Sequence, residues 1–222
     1  MLKRGIASAA IFLLSGSVPA LAQTPRVEVS AFAGWVFSDG VDGDPALAGD
    51  GNFYDTVDPK DGALFGLTFG VLATDNVEVG FQYHRQQSTL QLDGTAQREL
   101  GDLAVSTYHG YVGYNFGEAD APARPFLLFG LGLTNFSSVD VTVAGVNRSI
   151  PGESQFSTTW GGGVKFFPAP GFGVRVAALW TPTYIKSDAA GWWCDPYWGC
   201  YLVGDPQYSN QFGFTGGVTI RF

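Results

Sequence analysis

Eight stretches of this chain each contain a run in which every second residue is apolar or small and uncharged, and no such position of those runs carries a charge. Strict alternation is the signature of a β-strand, because successive side chains point to opposite faces. The stretches cover approximately 26–37, 62–73, 77–90, 102–116, 124–137, 153–167, 171–186 and 209–222, bounded by Gly, Pro, Asp and Asn clusters. In the first, the apolar set is Val27, Val29, Ala31, Ala33, Trp35 and Phe37; in the last it is Phe212, Phe214, Gly216, Val218, Ile220 and Phe222. The opposite faces carry polar residues and many glycines, among them Glu28, Thr68, Gln82, Thr107, Lys165 and Arg175. Bulky rings on one face and small or polar groups on the other suit a narrow barrel whose outside is apolar. An Arg or Lys facing lipid at mid-depth costs about 2–4 kcal/mol, so the missing charges are what lipid exposure dictates.

Each stretch is long enough to cross a bilayer, since a tilted strand needs about 9–11 residues. The connections alternate in length. Those at 38–61, 91–101, 138–152 and 187–208 are long; those at 74–76, 117–123 and 168–170 are short. Outer-membrane barrels have short periplasmic turns and longer external loops, so both termini are expected in the periplasm. Unpaired backbone is intolerable in lipid, so the sheet must close. The expected fold is all-β: an eight-stranded antiparallel up-and-down transmembrane β-barrel, preceded by a cleaved signal peptide. A soluble antiparallel barrel or sandwich shares the alternation. It explains less well why Phe, Trp and Tyr crowd the face opposite the charges.

The beginning of the chain fits export. Lys3 and Arg4 precede an apolar run from Gly5 to about Val18, and Ala20-Leu21-Ala22 supplies a small-x-small cleavage pattern. The expected division is a signal peptide at 1–22 and a barrel domain at 23–222. The formal net charge of −8 becomes −10 once Lys3 and Arg4 are removed. Such a chain has no basic stripe for phosphate contacts, which excludes nucleic acid. Charged residues make up only 14%, against about 25% in soluble domains, so something other than a charged aqueous surface solvates it.

The closing segment, Gln211-Phe212-Gly213-Phe214-Thr215-Gly216-Gly217-Val218-Thr219-Ile220-Arg221-Phe222, resembles the terminal strand of small outer-membrane barrels. The stretch Gly161-Gly162-Gly163-Val164-Lys165-Phe166-Phe167, its proline turn, and Gly171-Phe172-Gly173-Val174-Arg175 are similar to the sixth and seventh strands of the same superfamily. That group includes the OmpA membrane domain, OmpX and the opacity-type surface proteins. The resemblance implies that barrel-assembly machinery reads the final aromatic, Phe222. It implies little about activity, because the scaffold hosts many roles. No domain is expected after the barrel, so peptidoglycan binding is not carried over.

Several groups of residues could carry function. Glu28, Glu78, Lys165, Arg175 and Arg221 all face inward near one end. Inside a narrow barrel such charges must be paired, and the cluster is either a salt-bridged plug or a gate. His84 and His109, the only histidines, also face inward. They could form a proton-sensitive contact or satisfy polar neighbours; a metal site would need further ligands. Outer-membrane lipases, acyltransferases and lipid A deacylases place Ser, His and an acid at the lipid-facing rim. Neither histidine faces lipid here, and there is no Gly-x-Ser-x-Gly elbow.

The connection 38–61 holds Asp39, Asp42, Asp44, Asp50, Asp55, Asp58 and Asp61 against a single Lys60. It reads as a solvated flexible loop, with calcium binding as the alternative. The last connection holds both cysteines, Cys194 and Cys200, expected to form a disulfide in an oxidising compartment. Between and beside them stand Trp192, Trp193, Tyr197, Trp198 and Tyr201. These rings either pack over the barrel mouth or form a rigid recognition knob. The leading expectation is a monomeric structural or surface-interaction protein without cofactor, in contact with outer-membrane lipid and lipopolysaccharide. A narrow pore for small or apolar solutes is the alternative, and a lipid-modifying enzyme ranks third.

Overall fold

The computed structural model describes residues 27–47, 51–143, 146–185, 194–195, 199–200 and 207–222. The expected signal peptide lies outside the described residues. Fourteen strands follow in order: β1 (Val27–Ser38), β2 (Val41–Leu47), β3 (Phe53–Pro59), β4 (Gly62–Leu72), β5 (Val77–Gly94), β6 (Arg98–Asn115), β7 (Ala123–Phe136), β8 (Val139–Val143), β9 (Val146–Ile150), β10 (Glu153–Ala169), β11 (Phe172–Ile185), β12 (Cys194–Asp195), β13 (Gly199–Cys200) and β14 (Gln207–Arg221). Eight of them close a barrel in the order β1-β4-β5-β6-β7-β10-β11-β14, with every pairing antiparallel and β14 returning to β1. All eight coincide with the stretches read from the alternation.

Register fixes the shape. One row of paired residues runs Val27, Val71, Val79, Val112, Phe129, Trp160, Trp180, Phe212 and arrives at Phe37. A single circuit therefore climbs ten residues along β1. With strands about 4.8 Å apart and about 3.3 Å of rise per residue, that shear tilts the strands by about 40° and sets a backbone radius near ~8 Å. A cylinder this narrow is filled by its own side chains. The whole spiral row is apolar, and the ten-residue climb matches the height of an apolar band of about 25 Å.

Burial is inverted relative to a soluble protein. Glu28 is 1% exposed and Thr219 0%, whereas Val176 is 59% and Phe214 61% exposed. Aromatic rings gather at both edges of the band. Tyr114, Phe116, Phe166, Phe172 and Phe222 lie at the short-turn end, and Phe37, Trp180 and Phe212 lie toward the other. Rings at both interfaces are the girdles of membrane barrels.

The short turns are locally encoded. The Thr74 hydroxyl accepts from Asn76 N (3.3 Å) and Val77 N (3.0 Å), a side-chain turn added to the backbone bond from Ala73 N to the Val77 carbonyl (2.8 Å). Asn76 then donates to the carbonyls of Asn115 (2.7 Å) and Gly117 (2.9 Å), tying two turns together. Gly171 carries φ 78° in the turn after Pro170, a conformation that disfavours any side chain. Within the wall, a Cβ on Gly70 would overlap the Glu78 carboxylate and the Tyr111 hydroxyl, so the absent side chain makes room for the lumen charges.

The long connections depart from expectation. The stretch 38–61, read as a flexible loop, forms the β2–β3 hairpin, which adds to the wall by pairing β3 with β5. The stretch 91–101 is largely strand, because β5 and β6 remain paired out to Leu92 and Arg98. The stretch 138–152 forms the β8–β9 hairpin. Beyond the apolar band, a strand no longer needs an apolar face, so polar residues hide the pairing from a period-2 reading.

Candidate functional site: the lumen and its two ends

The inward-facing residues stack in four tiers. The first, at the short-turn end, is ionic. Lys165 Nζ donates to Glu28 and to Glu78, and its side chain is 2% exposed. Arg221 Nε donates to the other Glu28 oxygen at 2.9 Å, as the direct register of these two residues requires. Glu78 also accepts from the Tyr111 hydroxyl and from Asn115 Nδ2 (3.2 Å). The Arg175 guanidinium lies 4.5 Å from the Phe126 ring centre and reaches Thr68 Oγ1 at 3.4 Å. The five charges expected from the sequence thus meet at one depth.

This tier also holds Arg124 and Tyr111, which the alternation did not single out, and the inward-facing Asn115. Arg124 is fully buried and donates to the Asp75 carbonyl at 2.6 Å, holding the 74–76 turn. Tyr111 and Asn115 serve Glu78, as described. The inward parity of β7 would have placed Arg124 among the others. A void of about 10 Å³, room for one water, lies between Glu78, Tyr111, Asn115, Lys165 and Arg175.

The second tier is apolar. Tyr111, Phe126, Leu128, Ala177 and Leu179 pack on one side, and Phe32, Val36 and Leu64 pack on the other. The third tier holds both histidines. His109 Nε2 contacts Ser157 Oγ at 2.7 Å and its Nδ1 contacts Thr159 Oγ1 at 2.7 Å. Both ring nitrogens are therefore engaged by hydroxyls. The chain continues from Thr159 to Thr181 (2.9 Å) and from Ser157 to Thr134 (2.8 Å). His84 Nδ1 contacts the Gln82 amide at 3.2 Å. The two histidines face Thr107 and Gln82 across the β5–β6 pair rather than one another. Among the described residues, no carboxylate bonds to either imidazole, so the Ser157–His109 contact lacks the acid of a hydrolytic triad.

The fourth tier closes the long-connection end with Val41, Leu90, Leu103, Val105, Phe136, Val139, Val141 and Ile185. Just outside it lies part of the acidic group. Gln91 Nε2 donates to Asp58 Oδ2 (3.1 Å) and Asp93 Oδ2 (3.3 Å), and Asp61 accepts from Ser38 N at 2.9 Å. Burial pushes the Asp58 carboxyl up to about 6; Asp93, Asp61 and Asp39 push the same way, and the Gln91 hydrogen bond opposes them. Among the described residues, no three metal-ligating side chains gather at one point. The side chains of Asp42, Asp44 and Asp50 lie outside the described residues.

In the last connection, the backbone sets Cys194 directly opposite Cys200 in a two-residue antiparallel ladder. Trp192, Trp193, Tyr197, Trp198 and Tyr201 lie outside the described residues. Phe222 is 74% exposed, and its N–H and C=O pair with Val27 (2.9 and 3.2 Å), so the terminal residue joins the last strand to the first.

Comparison with known proteins follows from this geometry. The fold superposes on the outer membrane protein OprG from Pseudomonas aeruginosa with a TM-score of 0.63 at 14% identity, covering 89% of this chain and 96% of that one. Neisserial surface protein A gives 0.54 at 14% identity, over 88% and 97%. The outer membrane protein AlkL gives 0.51 at 12% identity, over 100% and 97%. At such identities the likeness is one of fold. No curated protein sequence matches the chain. A closed eight-stranded barrel with an apolar exterior, matched over residues 8–222 by the family described as outer membrane protein beta-barrel domain, identifies this chain as a member of that family, resident in the bacterial outer membrane.

Proposed function

We propose that this protein is a closed barrel with a structural or surface-interaction role, its lumen plugged by paired charges. The observation that carries the reading is the bridging of Glu28 and Glu78 by the buried Lys165. A conduit would leave such charges in water; the burial of Glu28, Glu78 and Lys165 and their ion pairs, with further tiers above them, support the plug, whereas Arg175 packs on Phe126 and joins no carboxylate. Planar-bilayer recording from purified protein tests it. Silence is expected, and discrete reproducible openings would overturn the plug.

The same reading puts both termini in the periplasm and the β2–β3 and β8–β9 hairpins outside the cell. It makes the protein a monomer in contact with outer-membrane lipid and lipopolysaccharide, with Phe222 read by the assembly machinery. It joins Cys194 to Cys200, a bond supported by their direct opposition in register. Mass spectrometry of non-reduced peptides should find them linked, and free thiols in protein from the outer membrane would refute the bond.

A second reading is a narrow path for small or apolar solutes. The apolar fourth tier favours it, since a mouth lined by Leu90, Leu103, Val105 and Phe136 could receive an apolar molecule. Uptake of a radiolabelled alkane by cells with and without the protein separates the two. An enzymatic role is not assigned; a lipid hydrolysis lost on replacing His84 and His109 would revive it.

A further inference from the structure

Four neighbouring strands change character at the same row. Moving toward the long-connection end, the outward positions of β5 run Val79, Phe81, Tyr83 and then Arg85. On β6 they run Val112, Gly110, Tyr108 and then Ser106; on β7, Leu131, Leu133 and then Asn135; on β10, Phe156 precedes Ser154 along the same face. Arg85, Ser106, Asn135 and Ser154 are direct register partners from strand to strand. The apolar exterior therefore ends on one polar row that begins with a guanidinium.

Arg85 is half-buried and makes no hydrogen bond or ion pair with any described residue. Ser106 beside it is 6% exposed, and Asn135 donates to Ser154 at 2.9 Å. One row toward the membrane centre, Tyr83 and Tyr108 form a ring pair with centroids 5.1 Å apart. A cation on an apolar exterior demands an anion at the same depth. A guanidinium fork matches two phosphate oxygens, while aromatic rings sit at headgroup level. Acyl chains attached to such a phosphate would lie over Tyr83, Tyr108 and Leu133.

We infer that the row Arg85–Ser106–Asn135–Ser154 is a docking site for the phosphorylated headgroup of an outer-leaflet glycolipid. Arg85 holds the phosphate, Asn135 supplies a further donor, and the tyrosine pair supports the first carbons of the chains. The inference rests on the orientation proposed above, with the long connections outside.

Native mass spectrometry of the detergent-solubilised full chain tests it with three probes: bisphosphorylated lipid A, lipid A stripped of phosphate, and inorganic phosphate. The phosphorylated lipid should be retained and the stripped lipid lost. Arg85→Gln should weaken retention about tenfold or more, as loss of a bidentate phosphate contact does, with Arg85→Lys between. Lys60→Gln, which removes an exposed cation elsewhere, should leave retention unchanged. Equal retention by Arg85→Gln and wild type, with both folded by gel mobility, overturns the site. Displacement of the lipid by millimolar inorganic phosphate overturns the lipid as its occupant. Orientation is read separately, by antibody access on intact cells to an epitope inserted after Gly51. An inaccessible epitope moves Arg85 to the inner leaflet and overturns the outer-leaflet assignment, whereas the micelle measurement does not depend on it.

Discussion

At the short-turn end the lumen holds charges that lie within the alternating strands themselves. At the long-connection end it is lined by apolar residues, several of which belong to extensions and hairpins that project beyond the band. Glu28, Glu78, Lys165 and Arg221 come from four different barrel strands and converge because register and shear bring them to one depth. Val41, Leu90, Leu103, Val139 and Val141 come from β2, the outer parts of β5 and β6, and β8. The first packing is built into the barrel strands; the second rests in part on appended ones. Electrostatic pairing in a rigid frame and hydrophobic packing in an appended one are different ways to fill a lumen.

The largest test of that contrast is at Lys165. Lys165→Met leaves the buried Glu78 without its cation and Glu28 with Arg221 alone, and should cost about 3–5 kcal/mol of global stability in urea titrations of micelle-refolded protein. Combining it with Glu78→Gln should recover most of the loss, because Glu28 keeps its pair with Arg221 and no unpaired carboxylate remains. If the single variant is as stable as wild type, the floor is hydrated and the contrast fails. At the other end, Phe136→Ala removes a large ring from the apolar tier and should cost about 3 kcal/mol or more locally. Hydrogen exchange should show protection lost in β8 and the outer half of β6, while β1 and β14 keep theirs.

A smaller effect is expected from pH. The Asp58 carboxyl is raised above its unfolded value by burial, so the folded state holds its proton more tightly. Its contribution is favourable below about pH 4 and is lost as pH rises through about 6. The β2–β3 hairpin should therefore be better protected from exchange at pH 4 than at pH 7, and Asp58→Asn should flatten that difference. The smallest effect belongs to Lys60, whose ion pair with Glu99 at 2.8 Å is solvent-exposed. Lys60→Gln should leave thermal unfolding unchanged; a clear shift would mean that the hairpin is held from outside rather than from beneath.

What the sequence made legible divides along the same line. Parity assigns a face to every residue of a strand that must touch lipid, so the outward Trp35, Leu67 and Phe214 and the inward Glu28 and Arg175 were all readable. Arg124 has the same inward parity, but it stands at the start of its strand beside Pro125, where the alternation has barely begun. The hydroxyl chain around His109 was not readable: Ser157, Thr159, Thr134 and Thr181 meet only after the shear is known, and shear has no local signal. The hairpins were hidden for another reason. In β2 and β3, Asp42, Asp44, Pro45, Asp55 and Asp58 look like loop residues, because strands in water have no apolar exterior to maintain.

The closing pair of strands has a consequence in time. β1 is hydrogen-bonded to β14, and contacts such as Ser30 with Thr219 join residues 189 apart. When the barrel forms, β1 must wait for the last strand before one of its edges has a partner. An exposed strand edge invites pairing with other chains and is barred from lipid. The edge of β1 that β14 covers therefore has no partner within the chain until the last strand is in place. The order of events, as much as the final contacts, decides whether a barrel is made.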